Sequence, residues 1–236
     1  MIQRSRKVKD RLFSLACLAA TLIAVIVLAA LLFSVTAQGI ARLRPDFFTN
    51  FTSYMPAKAG IKAALMGTVW IVVLTGLIAI PVGVAAAVYL EEFADKRNRW
   101  ASMIEVNITN LAGVPSIIYG LLGLAVFVRW MDLGRSIIAG SLTMSLLILP
   151  TIILVTREAL RAVPSSYRDG SLALGSTRWQ AIRQVVIPSA SPGILTGIIL
   201  ALSRAMGETA PLITIGAVAF ISFVPKSLGD KFTILP

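Results

Sequence analysis

Four stretches of this chain run for more than twenty residues without a charged side chain: 12–37, 63–90, 106–128 and 136–156. A helix crossing about 30 Å of hydrocarbon needs roughly 20 apolar residues, and in lipid every backbone donor and acceptor must be satisfied within the protein. Each stretch is therefore read as a membrane helix. A fifth stretch, from about Pro192 to Ala219, differs in carrying Arg204 and Glu208 inside it. The expected fold is all-α, a polytopic membrane helix bundle with five transmembrane helices. Composition agrees, with 57% of the residues apolar and 14% charged, against about 25% charged in a soluble domain. A disordered chain, a coiled coil and an ordinary soluble enzyme are excluded.

Twenty-two Lys and Arg stand against eleven Asp and Glu. In a membrane chain this excess reports topology rather than nucleic-acid binding, because basic residues collect in cytoplasmic loops and meet anionic lipid there. Residues 1–11 hold Arg4, Arg6, Lys7, Lys9 and Arg11 just before the first apolar stretch. A signal-peptide core spans only about 7–15 residues, so 12–37 is read as an uncleaved first helix. With a cytoplasmic N-terminus, 91–105, including Lys96 and Arg97, and 157–190 fall inside. The external loops are then 38–62 and 129–135, and the external tail is 220–236. Lys and Arg number 13 inside and 8 outside in that arrangement. The core runs over 63–219, with 157–190 as its long cytoplasmic loop.

The chain has no His and one Cys, Cys17. A Ser-His-Asp triad, a His-bearing metal site and an internal disulfide are thereby excluded. No Gly-x-x-x-x-Gly-Lys-Ser/Thr run occurs, so any nucleotide energy comes from a partner.

Pro81, Pro115, Pro150 and Pro211 lie inside apolar stretches, where each removes a backbone hydrogen bond and tends to kink or break a helix. Pro115, Pro150 and Pro211 are taken as helix breaks of the kind that line transport paths. Small residues recur at helix-contact spacing in Gly193-x-x-x-Gly197, in Ser116-x-x-x-Gly120, and at Gly76 with Gly83. Arg204 lies about twelve residues into the fifth stretch, roughly 18 Å at 1.5 Å per residue. A charge at that depth costs about 2.5–3.5 kcal/mol on insertion scales unless it is paired or wet. Glu208, four residues on, shares its helical face. The two are either an internal ion pair or part of an anion path, in which the Arg fork binds an oxyanion bidentately.

The 157–190 segment reads as two short helices. Ser166-Tyr167-Arg168-Asp169 and Thr177-Arg178-Trp179-Gln180 have capping-box form. Gly175 suits a left-handed stop, and Pro188 ends the second helix after Ile187. Trp179, Ile182 and Val186 share one face, with Arg178 and Arg183 beside them. Such a helix suits either a groove in a partner protein or an anionic lipid surface.

This loop resembles the EAA loop of bacterial ABC-importer permeases: Glu-Ala-Ala, three residues, Gly, nine residues, then Ile-x-Leu-Pro. Gly175 supplies the glycine and Val185-Val186-Ile187-Pro188 the close, while Asp169-Gly170-Ser171 replaces Glu-Ala-Ala. Three further runs resemble the PstA-type permeases of phosphate ABC importers: Asn110-Leu111-Ala112-Gly113-Val114-Pro115-Ser116-Ile117-Ile118-Tyr119-Gly120, Glu158-Ala159-Leu160-Arg161-Ala162-Val163-Pro164 and Arg204-Ala205-Met206-Gly207-Glu208-Thr209-Ala210-Pro211-Leu212.

The resemblance, from about Gly60 onward, implies an ABC-importer permease bundle in the bacterial inner membrane. It also implies a pore shared with a PstC-type subunit, two copies of a PstB-type ATPase and an external PstS-type phosphate-binding protein. Inorganic phosphate is the implied cargo. No cofactor is implied for this chain, since ATP and Mg would serve the ATPase. Arg204 and Glu208 are then tied to phosphate passage, with Arg157 at a helix end as a further candidate. Asp169, Gly175, Arg178, Trp179, Ile182 and Arg183 would couple to the ATPase. The family adds a sixth helix beyond the Thr-x-Leu-Pro run, here Thr233-Ile234-Leu235-Pro236, so an incomplete, truncated bundle is expected.

Other readings are a permease for sulfate, molybdate or phosphonate, and a passive channel or scaffold. A membrane enzyme would have only Ser203 and the pair Glu91-Glu92 to work with. That pair is read as a solvated helix end.

Overall fold

The computed structural model describes residues 2–55, 58–95, 99–217 and 221–235, and every regular element among them is helical. Lys96, Arg97, Ala219 and Pro236 lie outside the described residues, as do the side chains of Arg4 and Arg6.

Residues 1–49 form one unit and 50–236 another. In the first, α1 (Ile2–Gly39) carries the basic end and the first apolar stretch as one helix, which has neither proline nor glycine before Gly39. A 3-10 turn (Ile40–Arg42) follows, and then α2 (Pro45–Thr49), so a short helix lies within the stretch read as the 38–62 loop. Pro45 starts α2 with φ already fixed near the helical value.

The second unit holds α3 (Lys62–Val88), closed by a π turn over Tyr89–Phe93, and α4 (Arg99–Ala112). Next come α5 (Ser116–Gly123), extended by π turns over Leu124–Trp130, and α6 (Ile137–Arg161). The loop carries α7 (Ser165–Ala173) and α8 (Arg178–Ala181). A π turn (Ile182–Val186) leads to α9 (Ile187–Met206), and α10 (Ala210–Ile215) follows. Among the described residues, Lys9–Arg42, Lys62–Phe93, Ile137–Arg161 and Arg178–Met206 are long and apolar enough to cross a membrane. Ser102–Ala112 with Ser116–Trp130, bent by 102°, makes a fifth such segment. The molecule is a polytopic helix bundle.

In the second unit α6 packs along both α3 and α9. Lipid is as apolar as a leucine side chain, so these helices associate through close packing, and small residues permit it. A Cβ at Gly83 would stand 2.6 Å from Ile152, one at Gly197 2.6 Å from Val155, and one at Gly193 3.0 Å from Ala159. Thr75 Oγ1 donates to the Ser141 carbonyl at 3.4 Å, and Ser145 Oγ to the Thr75 carbonyl at 3.4 Å, adding polar ties between α3 and α6.

Two expected features change here. Pro150 does not break its helix: α6 continues through it, as α3 continues through Pro81. One lost hydrogen bond is outweighed by packing on both sides, and Pro150 itself is buried. Pro115 and Pro211 do mark breaks, between α4 and α5 and between α9 and α10. The stretch after 220 packs as a strap. Its Asp230 and Leu228 carbonyls accept from the N–H groups of Ile137 and Ile138 at the start of α6, which have no partner inside that helix. Phe232 is buried against Gly140, and the Leu235 N–H donates to Thr68 Oγ1 at 2.9 Å. At the turn of the strap, N–H donation from Lys226 and then donors from Ser227 hold the Asp230 carboxyl below its ordinary pKa.

Candidate functional site

The two helix breaks meet. At the first, Gly113 and Val114 close the last turn of α4 onto the Asn110 and Leu111 carbonyls. Pro115, extended at φ −54°, ψ 133°, then starts α5 with no donor to lose. Tyr119, one turn into α5, reaches back and donates its hydroxyl to the Leu111 carbonyl at 2.7 Å, which fixes the bend. At the second break α9 stops at Met206, Gly207 takes the cap position, and Pro211 falls in the first turn of α10. The half-helices α5 and α10 then cross in backbone contact. A Cβ on Gly120 would lie 1.9 Å from Thr214 Oγ1 and 2.6 Å from the Pro211 Cα.

Between these breaks is a cavity of about 260 Å³, lined by 111–116, Tyr119, Thr151, Ala201, Arg204 and Glu208 among others. Arg204 is in the last turn of α9, seventeen residues beyond Ile187 and so roughly 26 Å along the helix. The expectation of one continuous fifth span is corrected: Arg204 and Glu208 flank the end of a helix, because Gly207 and Pro211 together stop it. Arg204 Nε lies 3.6 Å from Glu208 Oε1, an ion pair too long for a hydrogen bond. The Arg204 side chain is 63% exposed and that of Glu208 19%. The arginine is thus loosely tethered.

The loop that follows α6 forms as two short helices, with one of the two expected capping boxes. Thr177 Oγ1 accepts from the Gln180 N–H, and the Gln180 side chain accepts from the Thr177 N–H. The box at Ser166 is replaced by a start at Ser165, with Pro164 as cap. Gly175 has φ +86°, its N–H bonds the Leu172 carbonyl, and the Ser176 N–H bonds that of Ser171. That is a Schellman ending, and it requires the left-handed residue that glycine supplies. Pro188 does not end the second helix. It lies where the π turn passes into α9, and the chain runs helically from Arg178 to Met206.

Ile182 is corrected as a coupling residue, together with the face it shares with Val186. Ile182 is 2% exposed and Val186 fully buried, both in the core with α6 and α9, because the π turn rotates this face inward. Asp169, Arg178, Trp179 and Arg183 are exposed. Trp179 packs its ring 6.2 Å from that of Phe93. At the tip Leu174 is 90% exposed, beside a groove lined by Tyr167, Gly170, Ser171 and Gln184.

Arg157 is not brought to Arg204. Its side chain is buried, with Nε 3.3 Å from Glu91 and Nη2 2.9 Å from Glu105. Arg161 joins the same two carboxylates, at 2.9 and 3.4 Å. Glu91 and Glu92 are therefore not a solvated helix end. The π turn directs both side chains into the bundle, where Glu92 pairs with Arg168 of α7.

The profile described as binding-protein-dependent transport system inner membrane component matches residues 79–227, which take in the cavity and the loop. The chain belongs to that family. It is 38% identical over 211 residues to the probable ABC transporter permease protein YqgI of Bacillus subtilis, covering 89% of this chain and 71% of that one. It is 34% identical over 223 residues to the phosphate transport system permease protein PstA of Mycobacterium leprae, with 92% and 73% covered. With PstA of Haemophilus influenzae it shares 37% over 183 residues, with 78% and 64% covered. The chain thus spans about two thirds to three quarters of these relatives' lengths.

In this permease the sequence pattern gives no role to Tyr119, Thr151 or Leu174, and it places Glu91 and Glu92 on a solvated helix end and Arg168 in a cap. Tyr119 stood within a quoted run, and its hydroxyl in an apolar helix near a Gly-x-Pro break was the available signal. The two glutamates had only their count, since their partners lie 66 to 76 residues away.

Proposed function

We propose that this permease moves inorganic phosphate inward across the bacterial inner membrane, with ATP and Mg used by a separate ATPase that docks on the 157–190 loop. The observation that carries the reading is the cavity at the paired helix breaks, with Arg204 held only loosely by Glu208. A guanidinium fork matches an oxyanion. Glu208 holds it in place when the path is empty and, at 3.6 Å, gives it up readily. The first turn of α5 opens on the same cavity with the positive end of its peptide dipoles. At about 30 Å³ per water molecule, the space admits a small tetrahedral anion with part of its hydration shell.

The names of the mycobacterial and Haemophilus relatives support phosphate over sulfate, molybdate or phosphonate. The partners proposed are a PstC-type permease subunit, two copies of a PstB-type ATPase and an external PstS-type binding protein. Leu174, Trp179, Tyr167 and Arg183 form the surface offered to the ATPase, and the N-terminus is cytoplasmic.

Labelled phosphate uptake in cells lacking their own PstA-type subunit tests this, with the chain expressed as it occurs in its complex. Uptake should need the ATPase, ignore excess sulfate and vanish with Arg204→Ala while the complex still forms. Normal uptake by Arg204→Ala would remove the anion path, and competition by sulfate would overturn the substrate.

A further inference from the structure

The end of α3 is tied to the loop by a contact that phosphate passage itself does not use. Glu92 lies in the π turn that closes α3, and its buried carboxylate accepts from Arg168 of α7 through both oxygens, at 3.1 and 3.2 Å from Nε. Nη2 adds a second donor to Glu92 Oε1 at 2.5 Å, and the guanidinium also serves the end of α6: Nη1 donates to the Val163 carbonyl just past it and Nη2 to the Leu160 carbonyl, each at 2.9 Å. Carbonyls at a helix C-terminus have no intrahelical partner, so Arg168 closes the end of α6 while gripping α3. From the other half of the loop, Arg178 of α8 donates to the backbone carbonyl of Glu92 and stacks 5.3 Å over the Phe93 ring. Both short helices therefore converge on one residue.

The π turn makes this possible. In it the Ala94 N–H reaches the Tyr89 carbonyl five residues back, and one residue fewer would rotate Glu92 by about 100° around the helix. Packing alone does not require a charge here, since apolar groups of similar volume often hold such a joint at no loss of stability. What the bidentate pair adds is direction: an Arg–carboxylate fork resists bending that an apolar contact allows.

We propose that Glu92 is the positioning residue of the coupling loop. Through Arg168 and Arg178 it locks α7 and α8 to the ends of α3 and α6, so that force on the loop from a docked ATPase moves these two membrane helices together. This rests on the ATP-driven reading above.

The test uses the complete importer in lipid nanodiscs, as wild type, Glu92→Gln and Arg168→Lys. Amide hydrogen exchange over 165–181 is compared with that in the α3, α6 and α9 cores, and phosphate delivered per ATP hydrolysed is measured on proteoliposomes. Glu92→Gln should speed exchange over 165–181 at least tenfold, leave the three cores unchanged and lower phosphate per ATP at least fivefold. Arg168→Lys keeps the charge but loses the fork and should shift both readings the same way. It carries the comparison if the Glu92→Gln complex cannot be isolated. Wild-type exchange and stoichiometry in these variants would overturn the proposal, as would exchange rising equally through the cores. If the wild-type complex hydrolyses ATP without moving phosphate, the substrate reading fails, while the exchange comparison still decides the role of Glu92.

Discussion

Arg204 has two separable properties, a positive charge in the last turn of α9 and a planar fork beside the cavity. The charge complements the negative end of the helix, a contribution of about 0.3–1 kcal/mol that any cation supplies. The fork can offer paired donors to an oxyanion, as the proposed path requires, and a hydrogen bond to a charged group contributes about 1.5–3 kcal/mol. Arg204→Lys keeps the first and loses the second. Uptake at limiting phosphate is therefore expected to fall about tenfold or more, corresponding to about 1.4 kcal/mol, with membrane abundance of the chain unchanged. A lysine variant that transports normally would show that only the charge at the helix end is needed. Residue type and spacing made Arg204 and Glu208 legible as a pair, because two charges in an apolar stretch must be paired or wet. The sequence could not show that the pair is loose, since that depends on where Gly207 ends the helix.

At the scale of elements the prolines separate into two kinds. Pro115 and Pro211 each follow a glycine in the preceding turn, Gly113 and Gly207, and both mark breaks. Pro81 and Pro150 follow unbroken apolar turns, and their helices continue. A glycine lowers the cost of leaving the helix in the turn that proline has already weakened. That rule was available from the sequence, whereas the inward turn of Ile182 was not, because an apolar face does not say which neighbour covers it. The crossing of α5 and α10 sets the distance between the breaks, and Gly120 is its closest point. Thr214 can rotate away from a new methyl, but the Pro211 Cα, 2.6 Å from that methyl, is backbone. Gly120→Ala is expected to part the half-helices and abolish uptake. Gly113→Ala, whose new methyl would meet only the Asn110 carbonyl at 3.4 Å, should keep most of it. Uptake by the two variants at equal membrane abundance checks this, and equal activity would show that the crossing does not shape the path.

Across the whole second unit, α6 is the reference, because its middle lines the cavity, the strap closes on one end and the loop leaves from the other. Its 25 residues span about 37 Å, more than the hydrocarbon thickness. At its N-terminus the strap closes on Ile137 and Ile138; at its C-terminus begins the loop with Leu174 at the tip. The apolar segments and their order were legible from uncharged length alone, whereas the 102° bend between α4 and α5 was not. The strap was not legible, since nothing in 221–235 has a helical period, and its bonds go to α3 and α6, far away in the chain. The proposed orientation puts Leu174 in the cytoplasm and Leu228, half-exposed in the strap, outside. Cys17 is the one native cysteine, so a Cys17→Ser background makes single-site labelling clean. In intact spheroplasts a membrane-impermeant maleimide should react with Leu228→Cys and leave Leu174→Cys untouched, and permeabilised cells should label both. Labelling of Leu174→Cys alone in intact spheroplasts would invert the topology and put the coupling surface where no ATP is found. The ATPase docking would then be lost, while the helix bundle and its cavity would stand.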